Sequence, residues 1–425
     1  MLAPMYARGD RVGRWIRPRP DLWGLSTAAA GILVLGLLVR LIWIGVHSVI
    51  PIADFQQYHQ IATTLEQHGV YGVNADSPQA FWPPGWPAAL AGLYAITGPN
   101  AQLGAMLAAI LEWGGILIAA VVAARLLRPP FAVGAVAAMC CYPSAIAYAP
   151  VLATEHLAVL LFTALASLMA FTRPSIRISL LAGLLLGALV LTRGDYGGAM
   201  AVVTAVWLVR GVDLRRLAVV VAMTALGALV FIAPWTIRNA STFDEFIPTS
   251  TNGGLTFYLG TLAPRFTFPP IVQERTFTSA EHPKAHENEY WRLGWDQVKK
   301  DPVGWLELDA KRAYYQYGKE STMLYLGKIG NPWIARFTIL YWRLIVALAL
   351  AGFVVLALRW RGLPRAWLTI AGSVLAVSFV KLFFVVNERD RLPLTYLLIV
   401  IAGLGAQWIY EELARRRSAR RASPA

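Results

Sequence analysis

The chain has 425 residues, 57% of them hydrophobic and 15% charged, with a formal net charge of +14 and a mean hydropathy of +0.52. A protein of this length and apolarity is a polytopic membrane protein, not a soluble one. The basic residues come in small groups between apolar runs without a binding module, which excludes nucleic acid as a partner. Cys140 and Cys141 are adjacent and inside an apolar run, which excludes a disulfide framework or a CxxC metal site and marks them as small core residues.

Roughly 20 mostly apolar residues are needed to cross a bilayer. In chain order such runs fall at about 24–47, 101–124, 131–149, 154–172, 178–192, 197–209, 217–235, 338–358, 365–386 and 392–412. The expected fold class is therefore an all-α polytopic membrane protein of about 10 spans. The basic leader "MLAPMYARGDRVGRWIRPRPD" precedes an apolar run too long for a signal h-region and without a small-residue cleavage site, so that run is expected to stay as the first span. The expected organisation is a transmembrane module over 1–235 with its first outer loop at 47–100, then an extracytoplasmic loop over 236–337. Transmembrane helices over 338–412 and a basic tail over 413–425 complete it.

Arginine decides the orientation. Arg8, Arg11, Arg14, Arg17 and Arg19 precede the first span and place the N-terminus in the cytoplasm. Every second connection then carries arginine: Arg125 and Arg128, Arg173 and Arg177, Arg210, Arg215 and Arg216, Arg359, Arg361 and Arg365, and finally "ARRRSARRASPA". Both termini are thus expected in the cytoplasm of a multi-pass plasma-membrane protein. The stretch from His47 to Asn100 contains no Lys or Arg, as an outer loop should. Within it, "PPGWPAALAGLYAITG" at 83–98 would reverse the alternation if it crossed, and is read as an interfacial or re-entrant helix.

Just after the first span, "ADFQQYHQIATTLEQHG" sets Phe55, Tyr58, Ile61, Ala62 and Leu65 at helical spacing, with Asp54 at the N-cap position and Gly69 at the end. As a cap, Asp54 is worth about 1 kcal/mol. As a partly desolvated carboxylate at the lipid–water boundary it is a candidate general base. Position alone leaves both readings standing. The other outer turns hold Glu155 in "LATEHL", Arg193 and Asp195 in "LTRGDYGG", Arg238 in "PWTIRNAS", and Glu388, Arg389, Asp390 and Arg391 in "NERDRLP". Each alone reads as an interfacial ion pair. Gathered on one side of different spans, they point to an anionic ligand entering from that side, because arginine's planar fork binds phosphate bidentately.

These ordered pieces resemble the membrane glycosyltransferases of the GT-C type, especially the bacterial relatives of the dolichyl-phosphate-mannose protein mannosyltransferases (family 39) and the aminoarabinose transferases. The resemblance is carried by Asp54 four residues before Tyr58 in "ADFQQYHQIATTL", by "WPPGWPAALAGLYAITG", "LATEHL" and "LTRGD", and then by "PWTIRNASTFDEFIPTSTNGGLTFYLG", "DPVGWLELDAKRAYYQY" and "NERDRLP". It implies an inverting transferase that takes a sugar, mannose in first place, from a polyprenyl-phosphate carrier. The acceptor would be an extracytoplasmic protein, glycan or lipid. Asp54 would then be the catalytic base, with Tyr58 beside it in the substrate site and Glu155 orienting sugar or acceptor. Arg389 and Arg391 would neutralise the leaving phosphate, with Arg193 and Arg238 behind them. One carboxylate suffices for this chemistry, since a lipid phosphate leaves readily while a sugar alkoxide needs a second carboxyl as acid. Some relatives use a divalent metal near such acids, and the sequence shows no tight ligand cluster. Two departures from the family pattern stand out. Phe55 follows Asp54 where many protein mannosyltransferases have Glu, and "ERDRLP" replaces the commoner "ERYRLP", setting Asp390 among the arginines.

The large outer loop predicts two surface helices, with Asp301 capping and Pro302 opening the second. Lys311 on that helix is a candidate phosphate or pyranose contact against the alternative of a snorkelling surface lysine. "STNGGLTFYLG" predicts a glycine turn with Asn252 offering its amide to sugar hydroxyls. Asn239 opens an N-x-S sequon. Arg40 and Lys381, inside apolar runs, are expected to reach polar partners near the substrate cavity. His47, His59 and His68 lack metal-site spacing and read as polar surface residues. Two rival functions remain at this stage: a carrier-lipid flippase or transporter, against which the one-sided grouping of charges argues, and an arabinose or aminoarabinose transferase of the same fold.

Overall fold

The computed structural model describes residues 25–263, 282–327 and 330–422. The arginines expected to orient the first span lie outside the described residues, as do the last three positions of the tail. Among the described residues the regular elements are helices, and Gly72 and Pro78 form an isolated bridge.

The first span is α1 (Thr27–Val46), followed in the first loop by α2 (Ala53–His68) and α3 (Gly85–Thr97). Next come α4 (Ala101–Leu126), α5 (Pro129–Cys140), α6 (Pro143–Tyr148), α7 (Thr154–Phe171), α8 (Ile176–Thr192), α9 (Gly194–Gly211) and α10 (Leu214–Phe243). The second large connection holds α11 (Gly253–Leu262), α12 (Pro283–Lys300), α13 (Pro302–Gly318) and α14 (Ser321–Leu326). The remaining helices are α15 (Pro332–Arg359), α16 (Arg365–Leu382) and α17 (Leu392–Ala422). Each segment expected to cross is helical. By length and apolarity eight segments among the described residues qualify as spans, while α8 is apolar but shorter and α9 is not among the eight.

Local chemistry sets many of the starts. Ser26, Asn100, Ser175 and Asp213 each accept from a backbone N–H of the first turn of α1, α4, α8 and α10, and Asp301 does the same for α13. Gly69, at φ 68, ends α2 in the left-handed conformation that its missing Cβ permits. The expected single run at 131–149 is broken, because Tyr142 before Pro143 is extended and the chain restarts there as α6. Of the two cysteines only Cys140 is buried; Cys141 is exposed, which corrects its reading as a core residue. α10 continues past the expected loop boundary at Trp235, so Arg238 and Asn239 are helical. The glycines of "STNGGLTFYLG" serve packing, since α11 starts at Gly253 and a Cβ on Gly254 would strike the Glu287 carbonyl of α12.

In lipid, helices associate through close packing of small residues. A Cβ on Gly183 of α8 would fall on the Thr224 carbonyl of α10, and one on Gly227 of α10 would fall on the Leu180 carbonyl of α8. Gly183→Val is therefore expected to cost about 1–3 kcal/mol by overpacking. The measurement is the melting midpoint in detergent beside Gly134→Val, at a position with open space within 4 Å; equal midpoints for the two variants would contradict this packing. The outward face of α10 exposes Leu226, Leu229, Val230 and Phe231, as a surface covered by acyl chains does.

The helix ends sort the charges into two groups. At one end Arg128, between α4 and α5, pairs with Glu411 near the end of α17 at 3.1 Å, and the Arg125 guanidinium lies 5.1 Å from the Phe171 ring centre at the end of α7. The other end joins the start of α2, the start of α7, the α8–α9 turn, the end of α16 and the turn before α17.

Candidate active site

Asp54 lies in the first turn of α2, not at its cap. Ile52 occupies the cap position without a side-chain hydrogen bond, and the helix starts at Ala53. Ala53 has φ 50, a left-handed conformation that costs a residue other than glycine about 1–3 kcal/mol and is found at functional sites. Freed from capping, the Asp54 carboxylate pairs with Arg389 at 3.0 Å.

Arg389 stands in the short 3-10 turn Glu388–Arg391, which Asn387 and Asp390 stabilise by a reciprocal capping box. Its guanidinium lies 4.9 Å from the Phe55 ring centre, 3.8 Å from Glu155, and donates to the Tyr148 hydroxyl at 3.4 Å. Successive residues of this turn point to different partners. Asp390 accepts from Arg193 at 2.8 Å and faces Lys381 at 3.8 Å. Arg193 also pairs with Glu155 at 2.9 Å and Asp195 at 3.4 Å, and Lys381 pairs with Asp195. The network thus holds four carboxylates (Asp54, Glu155, Asp195, Asp390) and three cations (Arg193, Lys381, Arg389). An arriving phosphate must therefore displace a carboxylate from a cation. The Asp54–Arg389 pair is the one most open to such exchange: Asp54 is 22% exposed and Glu155 only 2%.

Tyr58 is buried one helical turn beyond Asp54, edge-on to Trp82 at 5.2 Å. Burial, with the Asp54 charge adding to it, pushes its hydroxyl well above the ordinary tyrosine range, so it stays a neutral hydrogen-bonding group. Phe55, against the Arg389 guanidinium, also borders a cavity of about 420 Å³ whose wall includes Val49, Ile52, Val151 and Tyr325. The cavity is largely apolar and reaches to within one residue of Asp54.

The structure thus brings Asp54, Tyr58, Glu155, Arg193 and Arg389 together, joined by Lys381 as expected and by Asp195 and Tyr148. It separates the other expected site residues from them. Arg391 is fully buried and turned away. It pairs with Glu320, donates to the Lys319 carbonyl at 3.0 Å and lies 4.0 Å from the Trp342 ring centre. Glu320 also accepts from Tyr142 at 2.8 Å and from Ser144, so Arg391 fastens the second large connection to α6 and its phosphate role is withdrawn. Arg238 donates to the carbonyls of Gln79 at 2.9 Å and Tyr71 at 3.1 Å, tying α10 to the first loop. Asn239 is fully buried and donates to the Ile247 carbonyl at 2.8 Å, so the sequon is closed to modification. Asn252 accepts from Ser250 at 3.0 Å. Arg40 bonds to the carbonyls of Gly36 and Cys140 at 3.1 and 3.0 Å, away from the acid–arginine network. His59 is half-buried and bonded to Tyr94 at 2.8 Å.

Lys311 is exposed on α13, whereas its neighbour Arg312 is fully buried and donates to the Gly260 carbonyl. Lys311→Ala is accordingly expected to change stability by no more than about 0.5 kcal/mol and transfer by about twofold or less. A larger loss of transfer, measured at matched protein level, would return Lys311 to the site.

Sequence inspection passed over Glu320 and Tyr148. A lone Glu in a loop and an interfacial Tyr carry no signal of their own, and only the fold places them against arginines. Among the described residues no group of three or more His, Cys, Asp or Glu could hold a metal ion.

No family model matches the chain, and no curated protein matches it. Solved structures do. The archaeal oligosaccharyltransferase AglB from Archaeoglobus fulgidus, in complex with an inhibitory peptide and a dolichol-phosphate, is similar over 93% of this chain and 52% of its own, with a TM-score of 0.53 at 12% identity. Its apo form matches over 95% of this chain and 53% of its own, also with a TM-score of 0.53, at 13% identity. ArnT from Cupriavidus metallidurans bound to undecaprenyl phosphate aligns over 89% of this chain and 77% of its own at 14% identity, with a TM-score of 0.45. The likeness to AglB is one of fold: the chain has the helical membrane fold of the GT-C glycosyltransferases and spans about half the length of the oligosaccharyltransferase.

Proposed function

We propose that the protein is an inverting glycosyltransferase that moves a sugar from a polyprenyl-phosphate carrier to an acceptor on the extracytoplasmic side of the plasma membrane, with both termini in the cytoplasm. Mannose is the sugar to test first. The observation that carries the reading is the partly exposed Asp54–Arg389 pair, a carboxylate and a guanidinium 3.0 Å apart beside an apolar cavity.

The pair supplies the two functions that the reaction needs on opposite sides of an anomeric carbon. Donor phosphate engages Arg389, whose fork suits phosphate oxygens, and so releases Asp54 from its ion pair. Asp54 then takes the proton of the acceptor hydroxyl as its oxygen attacks the anomeric carbon. The bond from that carbon to the phosphate oxygen breaks with its electron pair going to the oxygen, and Arg389 neutralises the charge that develops there. Attack from the face opposite the phosphate inverts the configuration. Glu155, held by Arg193, stands beside both groups to orient the sugar or acceptor, and the cavity next to Phe55 suits the first isoprene units of the carrier.

The test is transfer of labelled mannose from polyprenyl-phosphate mannose in membranes containing the protein. Other lipid-linked sugars, pentoses included, follow if mannose is refused. Failure with every lipid-linked donor would end the proposal, whereas success with another sugar would change only the substrate.

A further inference from the structure

Below the acid–arginine network lies a second polar cluster that the proposed reaction does not use. Glu112 of α4 and His156 of α7 are both fully buried. The His156 Nδ1 lies 2.6 Å from a Glu112 oxygen, and its Nε2 lies 3.1 Å from the Val151 carbonyl oxygen. The other Glu112 oxygen accepts from the Tyr396 hydroxyl of α17. The Arg40 guanidinium of α1 lies beside Glu112 and Tyr396 and donates to the carbonyls of Gly36, Met139 and Cys140. The Tyr148 ring of α6 leans against the imidazole at 5.4 Å. Cys140 of α5 adjoins Arg40, and Glu155 precedes His156 on the first turn of α7.

We infer that Glu112 and His156 share one proton beyond those of a carboxylate and a neutral imidazole, and that the protonated pair positions the turn carrying Tyr148 and Glu155. The proton follows from hydrogen-bond accounting. A carbonyl oxygen only accepts, so Nε2 must carry its hydrogen. Between Nδ1 and the carboxyl oxygen a second hydrogen is then required, since two lone pairs do not approach to 2.6 Å between two fully buried side chains. Imidazolium with carboxylate and imidazole with carboxylic acid have the same composition, and both satisfy every contact. Close helix packing makes the arrangement rigid: a Cβ on Gly115, three residues beyond Glu112, would strike Val159, three residues beyond His156.

The positioning follows from the connectivity. His156 holds the Val151 carbonyl, which also accepts from the Ala153 N–H at 2.8 Å. This turn runs from Tyr148, whose hydroxyl accepts from Arg389, to Glu155, which holds Arg193. The catalytic consequence rests on the transferase reading, but the proton and the rigid turn do not.

Glu112→Gln separates the possibilities. Its amide donates to Nδ1 and its carbonyl accepts from Tyr396, so the isosteric variant keeps every contact while removing the shared proton. The protein has six histidines, so nitrogen NMR of histidine-labelled full-length protein can resolve His156, assigned by its loss in His156→Gln. A proton-bearing or proton-sharing Nδ1 is expected in the wild type, and an unprotonated Nδ1 in Glu112→Gln. An unprotonated Nδ1 in the wild type would overturn the proton. Hydrogen exchange over residues 148–156 is expected to match wild type in Glu112→Gln and to rise at least tenfold in Glu112→Ala. Unchanged exchange in Glu112→Ala would overturn the positioning role. Equal loosening in both variants would mean that Glu112 serves as an anionic counter-charge to Arg40, against the proposal. With any donor that proves active, Glu112→Gln should retain transfer and Glu112→Ala should lose it. If no donor works, the two spectroscopic results still decide.

Discussion

Asp54→Asn should abolish sugar transfer, by about 10²–10⁴-fold if the carboxylate acts only as general base, while leaving the melting midpoint in detergent nearly unchanged. Asparagine keeps the shape and one acceptor oxygen, and Arg389 keeps its contacts to Tyr148 and Glu155. Because Asp54 makes no cap, the variant loses no helix-start stabilisation. Transfer in membranes at matched protein levels reads the effect. Asp54→Glu should recover little, since one added methylene moves the base relative to a near-attack geometry with tolerances below an ångström. Equal transfer by wild type and Asp54→Asn would sink the mechanism and move the base to Glu155, the next carboxylate on Arg389.

The two arginines of "NERDRLP" should fail in opposite ways. Arg389→Ala removes the group that meets the leaving phosphate and is expected to lower transfer by about 10²–10³-fold, the scale seen when one charge-stabilising donor is lost. Asp54 is partly exposed and water can serve it, so the fold should survive. Arg391→Ala instead leaves Glu320 buried without its cation. Breaking a buried pair from one side costs about 3–5 kcal/mol, which should appear as a much lower melting midpoint and poor yield. Arg391→Met with Glu320→Leu should restore much of that stability, since well-packed apolar replacements remove both buried charges. A stable, inactive Arg391→Ala together with an unstable Arg389→Ala would reverse these assignments.

Much of the architecture was legible because lipid imposes a strong rule. Every backbone polar group in the bilayer must be paired within its own helix, so apolar length marks most of the spans, and the expected segments are helical apart from the break at Tyr142. The gathering of Asp54, Glu155, Arg193 and Arg389 at one end was also legible, since alternating arginine-bearing connections sort the remaining turns to one side. What failed was direction. Asp54 was equally a cap or a base in one dimension; the start of the helix at Ala53 removes the capping reading, and Arg389 reaches Asp54 from the far end of the chain.

The amino-acid sequence by itself determined the spans, the surface helices and the end of the bundle where charge collects, all consequences of hydropathy and of short-range capping chemistry. Tertiary structure decided which charges meet. In a turn as short as Glu388–Arg391, neighbouring side chains leave the backbone in different directions, so Arg389 meets Asp54, Asp390 meets Arg193 and Arg391 turns to Glu320. These partners are 335, 197 and 71 residues away in sequence. Such pairings depend on the packing of helices against one another, at contacts like Gly115 on Val159, and local sequence carries no record of them.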